Sequence, residues 1–166
     1  MAIEIERKFL VKEDSWRGQV YAQRRLRQAY LSSSDISSVR VRIADDRDAW
    51  ISIKTSYDGI TRDEFEYPIP VSDARHLIQL RESEIIEKTR YQVDFAGLTW
   101  EVDDFAGANI GLVIAEVELE DEVQPVTLPD WVGVEVTGDP RYQNSQLARY
   151  PFRTWRTSAT QRQAEP

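Results

Sequence analysis

The sequence predicts a mainly β (α+β) protein, an antiparallel sheet of eight strands with flanking helices. Apolar and polar residues alternate with a period of two in eight short segments, and Gly, Pro, Asp or Ser residues separate those segments. The chain has 166 residues, which is the size of a single domain. A sheet of eight strands can close into a barrel with room inside for side chains or one small ligand.

The alternating segments place the strands, in chain order, at residues 2–11, 22–31, 38–44, 48–56, 61–69, 87–95, 98–105 and 112–121. Tyr57, Asp58 and Gly59 form one tight-turn signal, and Ala96 and Gly97 form another. These turns predict two antiparallel hairpins, one joining the fourth and fifth strands and one joining the sixth and seventh.

Two helices are predicted outside the strands. The first lies between the fifth and sixth strands, with Ser72 as its N-cap and an apolar face formed by Ala74, Leu77, Ile78 and Leu80. The second covers residues 144–149 and ends before Pro151. We expect one domain over residues 1–152 and a loosely ordered tail over residues 153–166, in which only Trp155 docks.

Composition excludes several classes of protein. The chain has no cysteine, which rules out disulfides, thiolate metal sites and a cysteine nucleophile. Its net charge of −8 disfavours nucleic acid as a partner. No apolar run approaches the roughly 20 residues of a membrane helix, and charges begin at Glu4, unlike in a secretory signal. We therefore expect a cytoplasmic protein without membrane or nucleic-acid partners.

Charges are sorted by strand face. In seven of the eight strands one face is apolar and the other carries charges, mostly of one sign within a strand. The sorted cations are Lys8, Arg40, Arg42, Lys54, Lys88 and Arg90, and the sorted carboxylates are Glu4, Glu6, Glu64, Glu66, Glu101, Asp103, Glu116 and Glu118. Like charges held about 7 Å apart along a strand repel each other. Their segregation indicates both an anion site and a cation site.

Two arrangements fit this pattern. In an ordinary barrel the interior is apolar and the charges face solvent, which predicts no ligand. In the inverse arrangement the charges line a wet interior, and helices and loop residues such as Trp131 cover the apolar outer face. Unpaired buried ions cost several kcal/mol each, so a charged interior cannot be dry.

The motifs resemble those of the CYTH domain, the triphosphate tunnel metalloenzymes. The N-terminal EIERKFLV, with Glu4, Glu6 and Lys8, is similar to the family signature. Eight further motifs follow in order: RQAYL, VRVR, ISIK, RDEFE, EKTRY, WEVDDF, AEVELE and EVTGDPRYQN. The resemblance covers about residues 2–150 and implies a closed eight-stranded antiparallel tunnel with a charged interior and helices outside.

The resemblance also implies an activity. Its members are divalent-metal-dependent enzymes acting on triphosphates, and this chain is most similar to the short bacterial inorganic triphosphatases. The expected function is hydrolysis of a phosphoanhydride bond of tripolyphosphate, a small-molecule substrate. Thiamine triphosphatase and class IV adenylyl cyclase are alternatives within the family. A polyphosphate-binding module without turnover is an alternative from another class.

The expected substrate-binding residues are the sorted cations, Lys8, Arg40, Arg42, Lys54, Lys88 and Arg90, since arginines offer paired donors to phosphate oxygens and lysines act as point charges. Hard oxygen ligands favour Mg²⁺ or Mn²⁺, with two ions expected. The expected metal ligands are Glu4, Glu6, Glu116 and Glu118, with Asp103 as a further candidate. Glu64 and Glu66 are expected to be either metal ligands or partners of the cations.

Lys8, Lys88 and Tyr30 are the expected catalytic residues. The nucleophile is expected to be a water, activated by a metal or by a base. Tyr30 shares a strand face with Gln28 and is expected beside Lys8 on a neighbouring strand, where a cation would lower its pKa and make it a candidate base. The alternative for Tyr30 is a packing role at the barrel rim.

Overall fold

The computed structural model describes residues 2–56 and 60–155 and shows a closed antiparallel barrel. Its strands are β1 (Ala2–Val11), β2 (Val20–Ser33), β3 (Ser37–Ala44), β4 (Asp48–Thr55), β5 (Thr61–Pro68), β6 (Ile86–Phe95), β7 (Leu98–Phe105), β8 (Val113–Glu118) and β9 (Val132–Glu135). The helices are α1 (Val71–Leu77) and α2 (Asn144–Arg149), with 3-10 helices at Ser15–Gln19, Ile78–Leu80, Gly107–Asn109 and Pro140–Tyr142.

Strand order explains how the barrel closes. The strands follow β5-β4-β3-β2-β6-β7-β8-β1, and β1 pairs with β5 to complete the circle. All of these pairs are antiparallel. The eight predicted strands are confirmed, with ends that differ by at most three residues from those expected.

The ninth strand was not predicted from the sequence. It is only four residues long, and it pairs with the end of β1 that β5 leaves free. Its Gly133 lies so close to β1 that a Cβ atom there would come within 3.0 Å of the Leu10 carbonyl oxygen. A glycine therefore permits this pairing. In the sequence, however, an isolated glycine in a short segment indicates a turn.

The two predicted hairpins differ in how much of them the structure describes. Ala96 and Gly97 have φ angles of 51° and 81°, as a two-residue turn between β6 and β7 requires. The pairing of β4 with β5 is also observed, while the expected turn at residues 57–59 lies outside the described residues.

The helices agree with the prediction except at one cap. The expected N-cap at Ser72 is wrong, because α1 begins at Val71, directly after Pro70. Proline fixes its own φ, and the chain enters the helix two residues earlier than expected. The hydroxyl of Ser72 donates to Asp73 and caps no backbone N–H group. The expected apolar face is confirmed at Ala74 and Ile78, whereas Leu80 is exposed.

Most of the apolar core lies outside the barrel wall. Trp16 and Trp131 pack over the outward faces of β1, β6, β7 and β8. Ala74 of α1 and Ile78 of the following 3-10 helix cover the outward faces of β2, β3 and β4. Trp131 covers the wall as expected. The inverse arrangement is therefore confirmed, and the ordinary barrel with an apolar interior is ruled out.

One end of the interior is closed by apolar side chains. Tyr30, Ile86, Phe105 and Ile114 occupy inward positions of their strands and form a cluster with Leu112 and with Leu147 and Ala148 of α2. Because this cluster fills the barrel beneath α2, the remaining interior is a pocket with a single closed end.

The C-terminal part of the described chain packs against this region. Residues 152–155 form a helical turn, so the loosely ordered tail expected from residue 153 does not begin there. The Trp155 ring contacts Tyr142 and Phe152 edge to face, which confirms its docking. Residues 156–166 of the expected tail lie outside the described part.

Within the described ranges, no helix is long and apolar enough to cross a membrane.

Candidate functional site

The barrel interior holds a cavity of about 390 Å³ that is lined almost entirely by polar side chains. They come from alternate, inward-pointing positions of the strands, as the period-two pattern requires. Thirteen of the fourteen sorted charges line it: Glu4, Glu6, Lys8, Arg40, Arg42, Lys54, Glu64, Glu66, Lys88, Arg90, Glu101, Glu116 and Glu118. The structure therefore brings the predicted anion-binding and metal-binding residues into one site.

The cavity has two halves of opposite charge. The basic half consists of the adjacent strands β4, β3, β2 and β6, whose cavity-lining charges are Lys54, Arg40, Arg42, Lys88 and Arg90. The acidic half consists of β7, β8, β1 and β5, whose cavity-lining charges are Glu101, Glu116, Glu118, Glu4, Glu6, Glu64 and Glu66, together with Lys8 and Arg62. Among the described residues, no carboxylate of the basic half lines the cavity.

Ion pairs cross between the halves. The Lys54 Nζ atom lies 2.8 Å from a Glu4 carboxylate oxygen and 3.2 Å from one of Glu64. The Arg42 guanidinium lies 2.9 Å from the Glu66 carboxylate. Glu64 and Glu66, for which two roles were expected, therefore form ion pairs with cations of the basic half.

Arg90 connects the two halves most extensively. Its guanidinium donates to Asp103 and Glu101 on β7, and to Glu116 on β8 at 2.6 Å. Glu116 also accepts from Lys8 at 2.6 Å. Burial raises the pKa of Arg90's partner Glu116, but Lys8 and Arg90 outweigh it and hold that pKa well below its usual range. The deep part of the acidic half is thus neutralised by nearby cations.

Asp103 does not reach the cavity. It is fully buried in the wall and ion-paired to Lys88 and Arg90. This placement is that of a fixed counter-ion, because the Asp103 carboxylate lies outside the cavity and accepts from Lys88 and Arg90 of the neighbouring strand. The metal-ligand role expected for Asp103 is therefore not supported. Strand alternation shows on which face a residue lies, but not how deep it lies in the barrel.

The cations of the basic half crowd one another. Burial, followed by the positive charges of Arg40 and Arg62, lowers the pKa of Lys54 to about 8. Burial also lowers the pKa of Arg42, and Arg40 and Arg90 add to this effect. Cations whose pKa values fall in this way are stabilised by an added anion.

The acidic half has an excess of negative charge at the mouth of the cavity. Glu118 is exposed there and has no ion pair among the described residues. Partial burial raises its pKa, and repulsion from Glu4, Glu101 and Glu6 raises it further. By contrast, Lys54 and Arg62 lower the pKa of Glu4 to about 2 despite burial. A further cation near Glu118 would relieve the repulsion.

Tyr30 is not where the sequence suggested. β2 lies between β3 and β6, so Lys8 on β1 is not on a neighbouring strand. Tyr30 instead belongs to the apolar cluster at the closed end, and burial raises the pKa of its phenol despite the cations Arg40 and Lys8. The expectation of a lowered pKa is wrong, and the alternative packing role fits the structure. Alternation could not show this, because it does not reveal which strands are neighbours.

Four lining residues were not among the sorted charges: Gln28, Arg62, Thr99 and Asn144. Arg62 donates to Glu4 and to Glu6, the latter at 3.1 Å. It stands two residues before Glu64, so the same alternation places it on the inward face. Extending the sorted face of β5 by one position would have found it. Asn144 comes from a helix, where strand alternation gives no signal.

The carboxylates are suitable in chemistry for a hard divalent cation, although they are now turned toward lysine and arginine partners. Within the described part of the chain, no group of three or more His, Cys, Asp or Glu side chains is arranged to hold a metal ion. Glu118, which has no ion pair in the described chain and is repelled by Glu4 and Glu6, is the observation that fits a metal ion. A divalent cation at Glu118 would offset this repulsion.

Comparison with known proteins identifies close relatives. The CYTH domain family matches residues 2–150. The chain is 45% identical over 161 residues to an inorganic triphosphatase of Acetivibrio thermocellus, covering 94% of this chain and 99% of that protein. It is 38% identical over 148 residues to an inorganic triphosphatase of Nitrosomonas europaea, covering 87% and 96%. A crystal structure of an inorganic triphosphatase superposes with a TM-score of 0.65 at 36% identity, covering 89% of this chain and 95% of that one.

Proposed function

The chain belongs to the CYTH domain family, and from this premise we propose that it is an inorganic triphosphatase, which hydrolyses a phosphoanhydride bond of tripolyphosphate within the barrel. The observation that carries the proposal is the division of one enclosed cavity into a basic and an acidic half. The names of its full-length relatives support the substrate.

The basic half is suited to hold the triphosphate chain. Arg40 and Arg42 lie two residues apart on β3 and both line the cavity, so each can donate to neighbouring phosphoryl groups. Lys54 and Lys88 add positive charge from either side. Because these cations are buried and repel each other, binding a polyanion stabilises them as well as the ligand.

The acidic half is suited to hold divalent cations. We assign Mg²⁺ or Mn²⁺, two ions, to Glu4, Glu6, Glu116 and Glu118, because carboxylate oxygens are the preferred ligands of both ions. When bound, such ions polarise phosphoryl oxygens and make water a stronger nucleophile. Without them, seven carboxylates would face the substrate with only two cations of their own half.

The chain's own residues then orient the substrate and stabilise charge. Lys8 and Lys88 lie deep in the cavity on opposite halves and are proposed to stabilise the negative charge that develops on the cleaved phosphates. Arg90, with its carboxylate partners on two strands, fixes the distance between the halves. Phosphoryl transfer depends mainly on such positioning and charge stabilisation.

The test is release of phosphate from tripolyphosphate with Mg²⁺ or Mn²⁺. Thiamine triphosphate and ATP serve as competing substrates, and analysis for cyclic AMP separates a cyclase from a hydrolase. We expect tripolyphosphate to give the highest kcat/KM. Arg27→Ala is the control, since Arg27 faces outward and is paired with Glu87 at 3.5 Å. Tight binding of tripolyphosphate without phosphate release would show a binding module instead.

A further inference from the structure

Seven buried side-chain atoms have no hydrogen-bond partner among the described residues, and they fall into two groups. Three are indole N–H groups of the outer core, on Trp16, Trp100 and Trp131. The other four belong to residues that line the cavity: Gln28 Nε2, Arg40 Nε, Arg42 Nε and Asn144 Oδ1. Buried polar groups are almost always paired in folded proteins, so a cluster of unpaired ones around a cavity is suited to pair with a ligand.

The unpaired donors share one wall. Gln28 on β2 is opposite Arg42 on β3, and Arg40 is the next inward residue along β3. Three buried N–H donors without acceptors therefore lie on two neighbouring strands of the basic half. A ligand that satisfies them must present several acceptor oxygens, as a phosphoryl group does.

Gln28 lies at the boundary with the closed end. Only 1% of its surface is exposed. It is opposite Ile86 on β6 and two residues before Tyr30, and both of these belong to the apolar cluster that closes the barrel. Gln28 is thus one of the last polar groups that a substrate meets on entering.

Asn144 reaches the cavity from the other side of this boundary. It is the first residue of α2, the helix that packs on β2 and β6 and contributes Leu147 and Ala148 to the closing cluster. Its Oδ1 atom is the only unpaired acceptor among the buried side-chain atoms described. Since it needs a donor, a fully ionised phosphate cannot satisfy it.

We propose that Gln28 and Asn144 form the seat of a terminal phosphate at the closed end of the cavity. Gln28 Nε2 donates to a phosphoryl oxygen, and Asn144 Oδ1 accepts from a P–OH group. The second proton of a terminal phosphate has a pKa near 6, so part of the terminal phosphate carries a P–OH group near neutral pH, whereas a bridging phosphate in a chain has no such group to donate. The unsubstituted end of the substrate therefore enters first. This inference rests on the proposed triphosphatase function.

The seat predicts selectivity between a linear and a cyclic triphosphate. Cyclic trimetaphosphate has three phosphoryl groups but no terminal one, so it cannot use both amides. We expect the wild-type protein to bind tripolyphosphate more tightly than trimetaphosphate, as measured by inhibition and by ligand-induced thermal stabilisation.

The test compares Gln28→Leu and Asn144→Leu with the wild-type protein. Each should lower kcat/KM for tripolyphosphate by about 10- to 100-fold, the range for a lost hydrogen bond to a charged group. Most of the loss should appear in KM, and the selectivity over trimetaphosphate should shrink. Gln79→Leu and Gln146→Leu are controls, because neither side chain lines the cavity.

Stability separates this role from a purely structural one. Replacing an unpaired buried amide by an apolar side chain should leave the melting temperature of the ligand-free protein unchanged or higher. The stabilisation by tripolyphosphate should fall in the same variants. Variants that melt lower without ligand and weaken both phosphates equally would overturn the inference.

The outcomes also separate the inference from the proposed function. A wild-type protein that does not hydrolyse tripolyphosphate would refute the proposed function itself. An active wild-type protein with unchanged kinetics in both leucine variants would refute only the terminal-phosphate seat.

Discussion

The two halves of the cavity are built by the same strand alternation, yet they balance charge differently. Among the described residues, the basic half lines the cavity with five cations and no carboxylate, and the pKa values of Lys54, Lys88 and Arg42 are lowered. The acidic half contains seven carboxylates and only two cations, Lys8 and Arg62, and Lys54 from across the cavity helps Arg62 to lower the pKa of Glu4 to about 2. The acidic half therefore takes most of its counter-charges from the basic half, and Glu118 is left without an ion pair in the described chain.

The largest effect should come from removing divalent cations. In excess chelator we expect loss of nearly all tripolyphosphate hydrolysis, because the acidic half then repels the substrate. Mg²⁺ or Mn²⁺ should restore activity. Ca²⁺ should restore little, since it prefers about 6 to 8 ligands at longer distances than Mg²⁺. Full turnover in chelator, measured as released phosphate, would show that the acidic half needs no metal.

Arg90→Ala should break the link between the halves. It leaves the fully buried Asp103 with Lys88 alone and takes one partner from Glu116. Loss of one member of a buried ion pair costs about 3–5 kcal/mol, so we expect a comparable fall in the free energy of unfolding as well as loss of activity. Urea denaturation measures the first effect. A variant as stable as the wild-type protein would contradict the bridging role.

Arg40→Ala and Arg42→Ala should separate activity from stability. Each should lower tripolyphosphate turnover by about 100- to 1,000-fold, as for loss of one transition-state donor. The free energy of unfolding should change little, because removing one cation relieves its crowded neighbours. The control Arg27→Ala should affect neither measurement. Normal kinetics in both cavity variants would mean that the basic half does not hold the substrate.

Glu118→Gln and Glu116→Gln should differ within the acidic half. Glu118 has no ion pair in the described chain and is repelled by other carboxylates, so Glu118→Gln should leave the metal-free melting temperature unchanged or higher. Glu116 binds Lys8 and Arg90, so Glu116→Gln should lower it.

Both glutamine variants should need more Mg²⁺ for half-maximal rate, because each loses a hard anionic oxygen. Equal melting temperatures of the two variants would contradict the difference between Glu118 and Glu116. An unchanged Mg²⁺ requirement would contradict their assignment as metal ligands.

The sequence predicted the faces of the strands well, because alternation is a local property. The inward charges and the outer apolar faces under Trp131 follow from alternation, and the hairpin at Ala96 and Gly97 follows from a local turn signal. Neighbour relations are not local. Tyr30 was expected on a strand that neighbours that of Lys8, but β2 is not next to β1 in the strand order.

Depth along the barrel was equally hidden from the sequence. Asp103 and Glu101 occupy equivalent inward positions of β7, yet only Glu101 lines the cavity. Asn144 was missed because it enters from a helix, and β9 because four residues around Gly133 carry too short a pattern. These features depend on tertiary packing.

The closed end of the barrel determines the order of events in turnover. Ile86, Phe105 and α2 close one end of the barrel, so a substrate that enters from the other end and both of its products use the same route. The product nearer the mouth must depart before the deeper one can move. Phosphate or pyrophosphate that binds near the mouth therefore blocks entry of the next substrate, and the rate of turnover depends on the ordered release of the two products.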